Sequence, residues 1–143
     1  MASSFSIGTG RLLLGLYFIL PGLMKVGDPA GTIAYMESHS IPLAGPLMWV
    51  AAAANLAGGV LLASGRYVRW VSYAFVLYVL IVNALLHDFW TMEGDEAARE
   101  TQNFIKNMGI AAGLLTLAGY APNRVPSLTG WWRSDAAVTG LTT

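Results

Sequence analysis

Four long apolar runs, at 7–27, 43–65, 67–90 and 103–120, take up most of this chain and leave little of it for anything else. Each is close to the roughly 20 residues that carry an α-helix across the hydrocarbon core of a bilayer. They predict an all-α membrane protein, a four-transmembrane-helix bundle forming a single domain over 1–143 with a polar tail at 121–143. Composition agrees, with 55% hydrophobic residues, 11% charged residues and a mean hydropathy of +0.55, well outside the soluble range. A soluble four-helix bundle would need a polar face on every helix, and the second and fourth runs have none. The first run does not read as a cleaved signal peptide either, since no positive charge precedes Arg11 and no Ala-x-Ala site follows Met24.

Small residues crowd the second and fourth runs. The alanines at 51–54, Gly58 with Gly59, and the Gly109-x-x-x-Gly113 spacing are of the kind that lets membrane helices approach closely. Between the first two runs, Asp28 followed by Pro29 is an N-cap followed by a first helical residue, and Pro42 requires the helix to have ended before it. A short interfacial helix is expected there, carrying His39 as a solvated residue. Pro21 removes a backbone donor late in the first run. In the tail, Trp131 and Trp132 suit the headgroup region.

Basic residues set the orientation, because short cytoplasmic loops are enriched in Lys and Arg. One side collects Arg11, Arg66, Arg69, Arg124 and Arg133, while the other has Lys25 and Arg99, with Lys106 just inside the fourth run. Both termini are therefore expected to be cytoplasmic, with the acidic loop 91–102 outside. A net charge of zero offers nothing to hold a nucleic-acid backbone. The absence of cysteine rules out disulfides, thiolate metal ligands and a dithiol relay within this chain.

In this topology the polar residues of the runs meet at one level. The first and third runs rise to Lys25 and to the "NALLHDFW" stretch, and the fourth descends from "TQNFIKN". Asn83 and His87 are four apart, while Asn103, Lys106 and Asn107 are three and four apart, so each set shares a helix face. Ionisable groups at membrane depth are costly and usually pair inside a bundle or line a functional cavity. The pairing expected here is Asp88 with Lys106 or Lys25. The competing reading is plain anchoring, with lysines snorkelling to the interface. Asn55, in mid-run, suits a helix-to-helix hydrogen bond as well as a functional role.

The stretch "GRLLLGLYFILPGLMKVGDP", then "AYMESHSIP", a small-residue run with Gly58 and Gly59, "HDFW" and "QNFIKNMGIAAGLL" resemble the DoxX family of small bacterial membrane proteins over roughly 10–119. The resemblance implies a four-span bundle in the bacterial inner membrane and an association with membrane redox processes, among them thiosulfate or quinone oxidoreduction. Where family members often carry an acidic residue in the second span, this chain has Asn55.

The functional expectation is a small subunit of a membrane redox system that binds a quinone or similar apolar carrier at the outer membrane interface. His87, Asp88 and Lys106 are its candidate catalytic residues, and Lys25, Asn83, Trp90, Asn103 and Asn107 its candidate carrier-binding residues. Histidine titrates near neutrality, which suits proton delivery to a carrier's oxygens. The sequence has no flavin motif and no iron–sulfur ligands, so no metal or covalently bound cofactor is expected and electrons must come from a partner or a diffusible cofactor. The expected partners are the lipid bilayer and a larger membrane or redox complex or a second copy of the chain. The alternative is a non-catalytic accessory or assembly subunit. A transporter fits less well, because no pair of broken helices appears.

Overall fold

The computed structural model describes residues 2–124, 127 and 129–136, and among them every regular element is helical. The chain forms α1 (Ala2–Gly27), α2 (Pro29–Ser38), α3 (Ala44–Ser64), α4 (Val68–Leu86), a single 3-10 turn (Phe89–Thr91) and α5 (Gly94–Tyr120). Three of these segments are long and apolar enough to cross a membrane: Phe5–Gly27, Ala44–Ser64 and Val68–Thr91. The fourth expected run lies inside α5, whose first half also carries Asp95, Glu96, Arg99, Glu100 and Lys106.

Local chemistry sets the boundaries. Asp28 caps α2 by accepting the Gly31 N–H at 2.9 Å, with Pro29 in the first turn, as the sequence implied. Pro21 lies inside α1 without ending it. The third run was expected to stay helical to 90, but α4 stops at Leu86 and His87 turns out of the helix at φ −123°. A 3-10 turn follows, held by Thr91 donating from its hydroxyl to the Asp88 carbonyl and carboxylate, both at 2.9 Å. Conversely, α5 begins nine residues before the expected 103. Its first turn holds Asp95 and Glu96, where the positive end of the helix dipole favours acidic side chains.

Packing divides the long helices into two close pairs, α1 with α3 and α4 with α5. Gly15 and Gly59 make the first approach possible: a Cβ on either would stand 2.8 Å from the other's carbonyl oxygen. Gly58 gives room to the Phe75 ring, whose Cζ would lie 2.6 Å from an added Cβ. Phe75 in turn stacks on Phe18 with ring centroids 3.7 Å apart, joining the two pairs. Around this stack lie Leu62, Val68, Val79, Ala111, Leu114 and Leu117. Met36, Ala44, Met48 and Ala52 form a second cluster that seats α2 on α3. Gly109 and Gly113 take no part in these contacts, since an added Cβ on either meets nothing within 4 Å.

Candidate functional site

The buried face of α4 presents Ser72, Phe75, Val79 and Asn83, and that of α5 presents Asn107, Ala111, Leu114 and Leu117. The two helices run antiparallel, so the asparagines meet. Asn107 donates from Nδ2 to Asn83 Oδ1 at 2.8 Å, Asn83 donates from Nδ2 to the Phe104 carbonyl at 3.1 Å, and the Tyr17 hydroxyl donates to Asn107 Oδ1 at 3.0 Å. Asn83 and Asn107 are buried, and buried amides in an apolar bundle are stable only when bonded in this way. The hydrogen bonds tie α1, α4 and α5 together just below the end of α4.

At that end His87 and Glu100 make the shortest contact of the group, with Nδ1 and Oε2 2.6 Å apart and side chains 15% and 16% exposed. Asn103 donates from Nδ2 to the same carboxylate oxygen at 3.2 Å, and Lys106 donates from Nζ to Asn103 Oδ1 at 3.0 Å. Lys106, Asn103, Glu100 and His87 thus form one continuous hydrogen-bonded line. Burial alone would push the Glu100 carboxyl up. Hydrogen bonds from Asn103 and His87, with the positive charge available to His87 and His39, outweigh it and hold the carboxyl below its ordinary value.

The interfacial helix reaches over this end. The Tyr35 hydroxyl donates to the Leu86 carbonyl at 3.4 Å, and the Tyr35 and His39 rings lie 4.6 Å apart. Burial raises the Tyr35 phenol above its ordinary value, helped by the Glu100, Asp88 and Glu96 carboxylates.

The residues singled out by sequence therefore have different fates. His87, Asn83, Asn103, Lys106 and Asn107 join two linked hydrogen-bonded groups. The expected pairing of Asp88 with a lysine is not formed: Asp88 Oδ2 accepts from Thr91, its buried Oδ1 has no hydrogen-bond partner, and Lys106 is taken by Asn103. Lys25 sits in the last turn of α1, outside the group. Trp90 is 59% exposed and packs edge-on against Phe89 and Phe104, at 5.2 and 6.3 Å. The sequence reading missed Glu100, which it left in a loop, and Tyr17 and Tyr35, which it left unremarked. His39, read as solvated, is close enough to Glu100 to favour its charge. Asn55 is 1% exposed with Oδ1 unpartnered. Among the described residues no three His, Asp or Glu side chains are grouped to hold a metal ion.

Long apolar helices enclosing buried amides, with ionisable groups gathered at one end, define a multi-pass helical membrane protein with a polar end site. The comparisons with known proteins agree. The DoxX family model matches residues 7–88, which takes in α1 to α4 with His87 and Asp88 but stops before Glu100. The chain is also 30% identical over 115 residues to the inner membrane protein YphA of Escherichia coli strain K12, covering 80% of this chain and 82% of that one. No solved structure matches. The chain belongs to the DoxX family and is a multi-pass protein of the inner membrane.

Proposed function

We propose that this DoxX protein is a small subunit of a membrane redox system, and that the end of α4 binds a quinone or similar apolar carrier and passes protons to it. In this reading the run 103–120 within α5 is the fourth span, both termini are cytoplasmic and the site faces the outer membrane surface. The observation that carries it is the 2.6 Å His87–Glu100 contact at the edge of an apolar bundle, since ionisable groups placed against a membrane are costly and usually line a functional cavity or pathway. With Nδ1 turned to Glu100, the remaining ring nitrogen, Nε2, accepts a proton when the imidazole is neutral and donates one when it is charged. Glu100 fixes the orientation of the ring. Lys106, exposed and anchored by Asn103, is the donor best placed for a carrier carbonyl, while buried Asn107 supports the site from behind. Reducing a quinone takes two electrons and two protons. The protons pass through His87, and the electrons come from a partner protein.

Titration of the protein in nanodiscs with a short-chain quinone tests this. Binding should quench Trp90, so that the signal is lost in Trp90→Phe, and affinity should fall in Lys106→Met and His87→Gln. Unchanged affinity in both variants would remove the site. One observation favours the accessory reading instead: the Gly109 and Gly113 face of α5 is open, as a helix face that packs against a larger complex would be.

A further inference from the structure

The residues after α5 turn back onto the opposite end of α4. Asp135 donates its N–H to the Gly65 carbonyl at 2.8 Å, and its carboxylate accepts the Tyr67 and Val68 N–H groups at 2.9 and 2.8 Å. A residue 67 positions downstream thus supplies the N-terminal cap that α4 lacks in its own sequence. Arg124, 6% exposed, locks this turn: Nη1 donates to the Arg133 carbonyl at 2.5 Å and to Asp135 Oδ1 at 3.3 Å, and Nη2 donates to the Gly130 carbonyl at 2.7 Å. Its guanidinium also lies 4.2 Å over the Tyr67 ring. Arg66 Nε donates to the Trp132 carbonyl at 2.6 Å, and Trp70 Nε1 donates to the Arg124 carbonyl at 2.9 Å.

The consequence is a fixed depth. Trp131 and Trp132, 53% and 58% exposed and packed edge to face at 6.4 Å, are held level with the first turn of α4. That turn opens the membrane-spanning segment Val68–Thr91, so the two indoles stand at the boundary between hydrocarbon and headgroups, where tryptophan is favoured. Arg66 and Arg133 flank them, and guanidinium groups match phosphate oxygens in geometry and charge. Trp70 and Tyr73, 48% and 47% exposed, extend the aromatic surface from α4 itself.

We propose that residues 129–136, together with Arg66, form a binding platform for anionic phospholipid, with Trp131 and Trp132 in the headgroup layer and Arg66 and Arg133 on the phosphodiester. The platform stands at the other end of α4 from His87 and does not depend on the redox reading.

Native mass spectrometry of the full chain in mild detergent, with phosphatidylglycerol and phosphatidylcholine of the same acyl chains, tests the proposal. The wild type should hold phosphatidylglycerol roughly thirtyfold more tightly, on the scale expected for two basic side chains at a charged surface. Arg66→Gln with Arg133→Gln should lose that preference at unchanged helicity, and Arg133→Gln alone, which leaves the Arg66–Trp132 contact in place, should weaken it at unchanged thermal midpoint. Lys25→Gln, at the other end, should keep both the preference and the fold, so that a general loss of charge is told apart from loss of the platform. Excess inorganic phosphate should not displace the lipid, because it has nothing to offer the indoles. Equal retention of the two lipids, a preference that survives the double substitution, or complete displacement by phosphate would each overturn the proposal.

Discussion

Glu100→Gln is the substitution that isolates the His87 contact, because it keeps the shape of the side chain and removes only its charge. The two groups approach to 2.6 Å with side chains 15% and 16% exposed, and a hydrogen bond to a charged partner contributes about 1.5–3 kcal/mol. The glutamine carbonyl can still accept from Asn103, so the expected loss is about 1–2 kcal/mol. In a cycle with His87→Gln the coupling should be about 1 kcal/mol, measured by thermal or denaturant unfolding of the purified protein. The pH dependence gives a second handle. The folded carboxyl sits below its ordinary value of 4.5, so its contribution is fully present above that pH and is lost as pH falls through the lower, folded value. Glu100→Gln should lack this acid limb. Equal stability of variant and wild type at pH 7, or an acid limb that persists in the variant, would refute the reasoning.

Other substitutions probe the surrounding structure. Asp88→Asn and Lys106→Met should be additive in thermal stability, because the two side chains do not touch, and a coupling above about 0.5 kcal/mol would restore the pairing read from sequence. Tyr17→Phe takes the donor from Asn107 Oδ1 and should cost about 0.5–1.5 kcal/mol, while Asn83→Leu with Asn107→Leu should cost less than the two single changes summed. Gly59→Leu should prevent folding, since even a Cβ meets the Gly15 carbonyl at 2.8 Å, whereas Gly113→Leu should fold and show a defect only in complex formation. Single cysteines at Ser4, Glu96 and Ser134 should be labelled by an impermeant maleimide in intact cells only at Glu96, as the arginine distribution requires; labelling at Ser4 or Ser134 would reverse the orientation.

Much of the scaffold was legible because it depends on local chemistry. Asp28 and Pro29 opened α2 as expected, and the apolar runs became helices of nearly the expected extent. The misplaced boundaries lie where hydropathy and helix formation part company. Residues 94–102 are too polar to read as a span, yet they are good helix formers with acidic residues at the favourable end, so α5 starts there and carries Glu100 up to His87. That one boundary hid the partner of the central histidine and made Lys106 look like the natural counter-ion of Asp88. The tail was hidden for another reason. The Asp135 cap on α4 joins residues 67 positions apart in the sequence, and no periodicity or spacing announces such a contact. Asn103, Lys106 and Asn107 were grouped by their three- and four-residue spacing, but packing divides them. Asn107 turns into the bundle, Lys106 stays exposed and Asn103 bridges Lys106 to Glu100.

The central claim is that the end of α4 is a carrier site served by a partner, and purification from the native membrane in mild detergent tests it most directly. The bound lipids and proteins would be identified by mass spectrometry, alongside a His87→Gln, Lys106→Met variant prepared identically. The account predicts a bound quinone or similar apolar carrier with the wild type, depleted in the variant at equal yield of folded protein, and a co-purifying redox protein that supplies electrons. A large partner held in constant ratio by both proteins, with no carrier in either, would contradict it and leave the chain an accessory subunit.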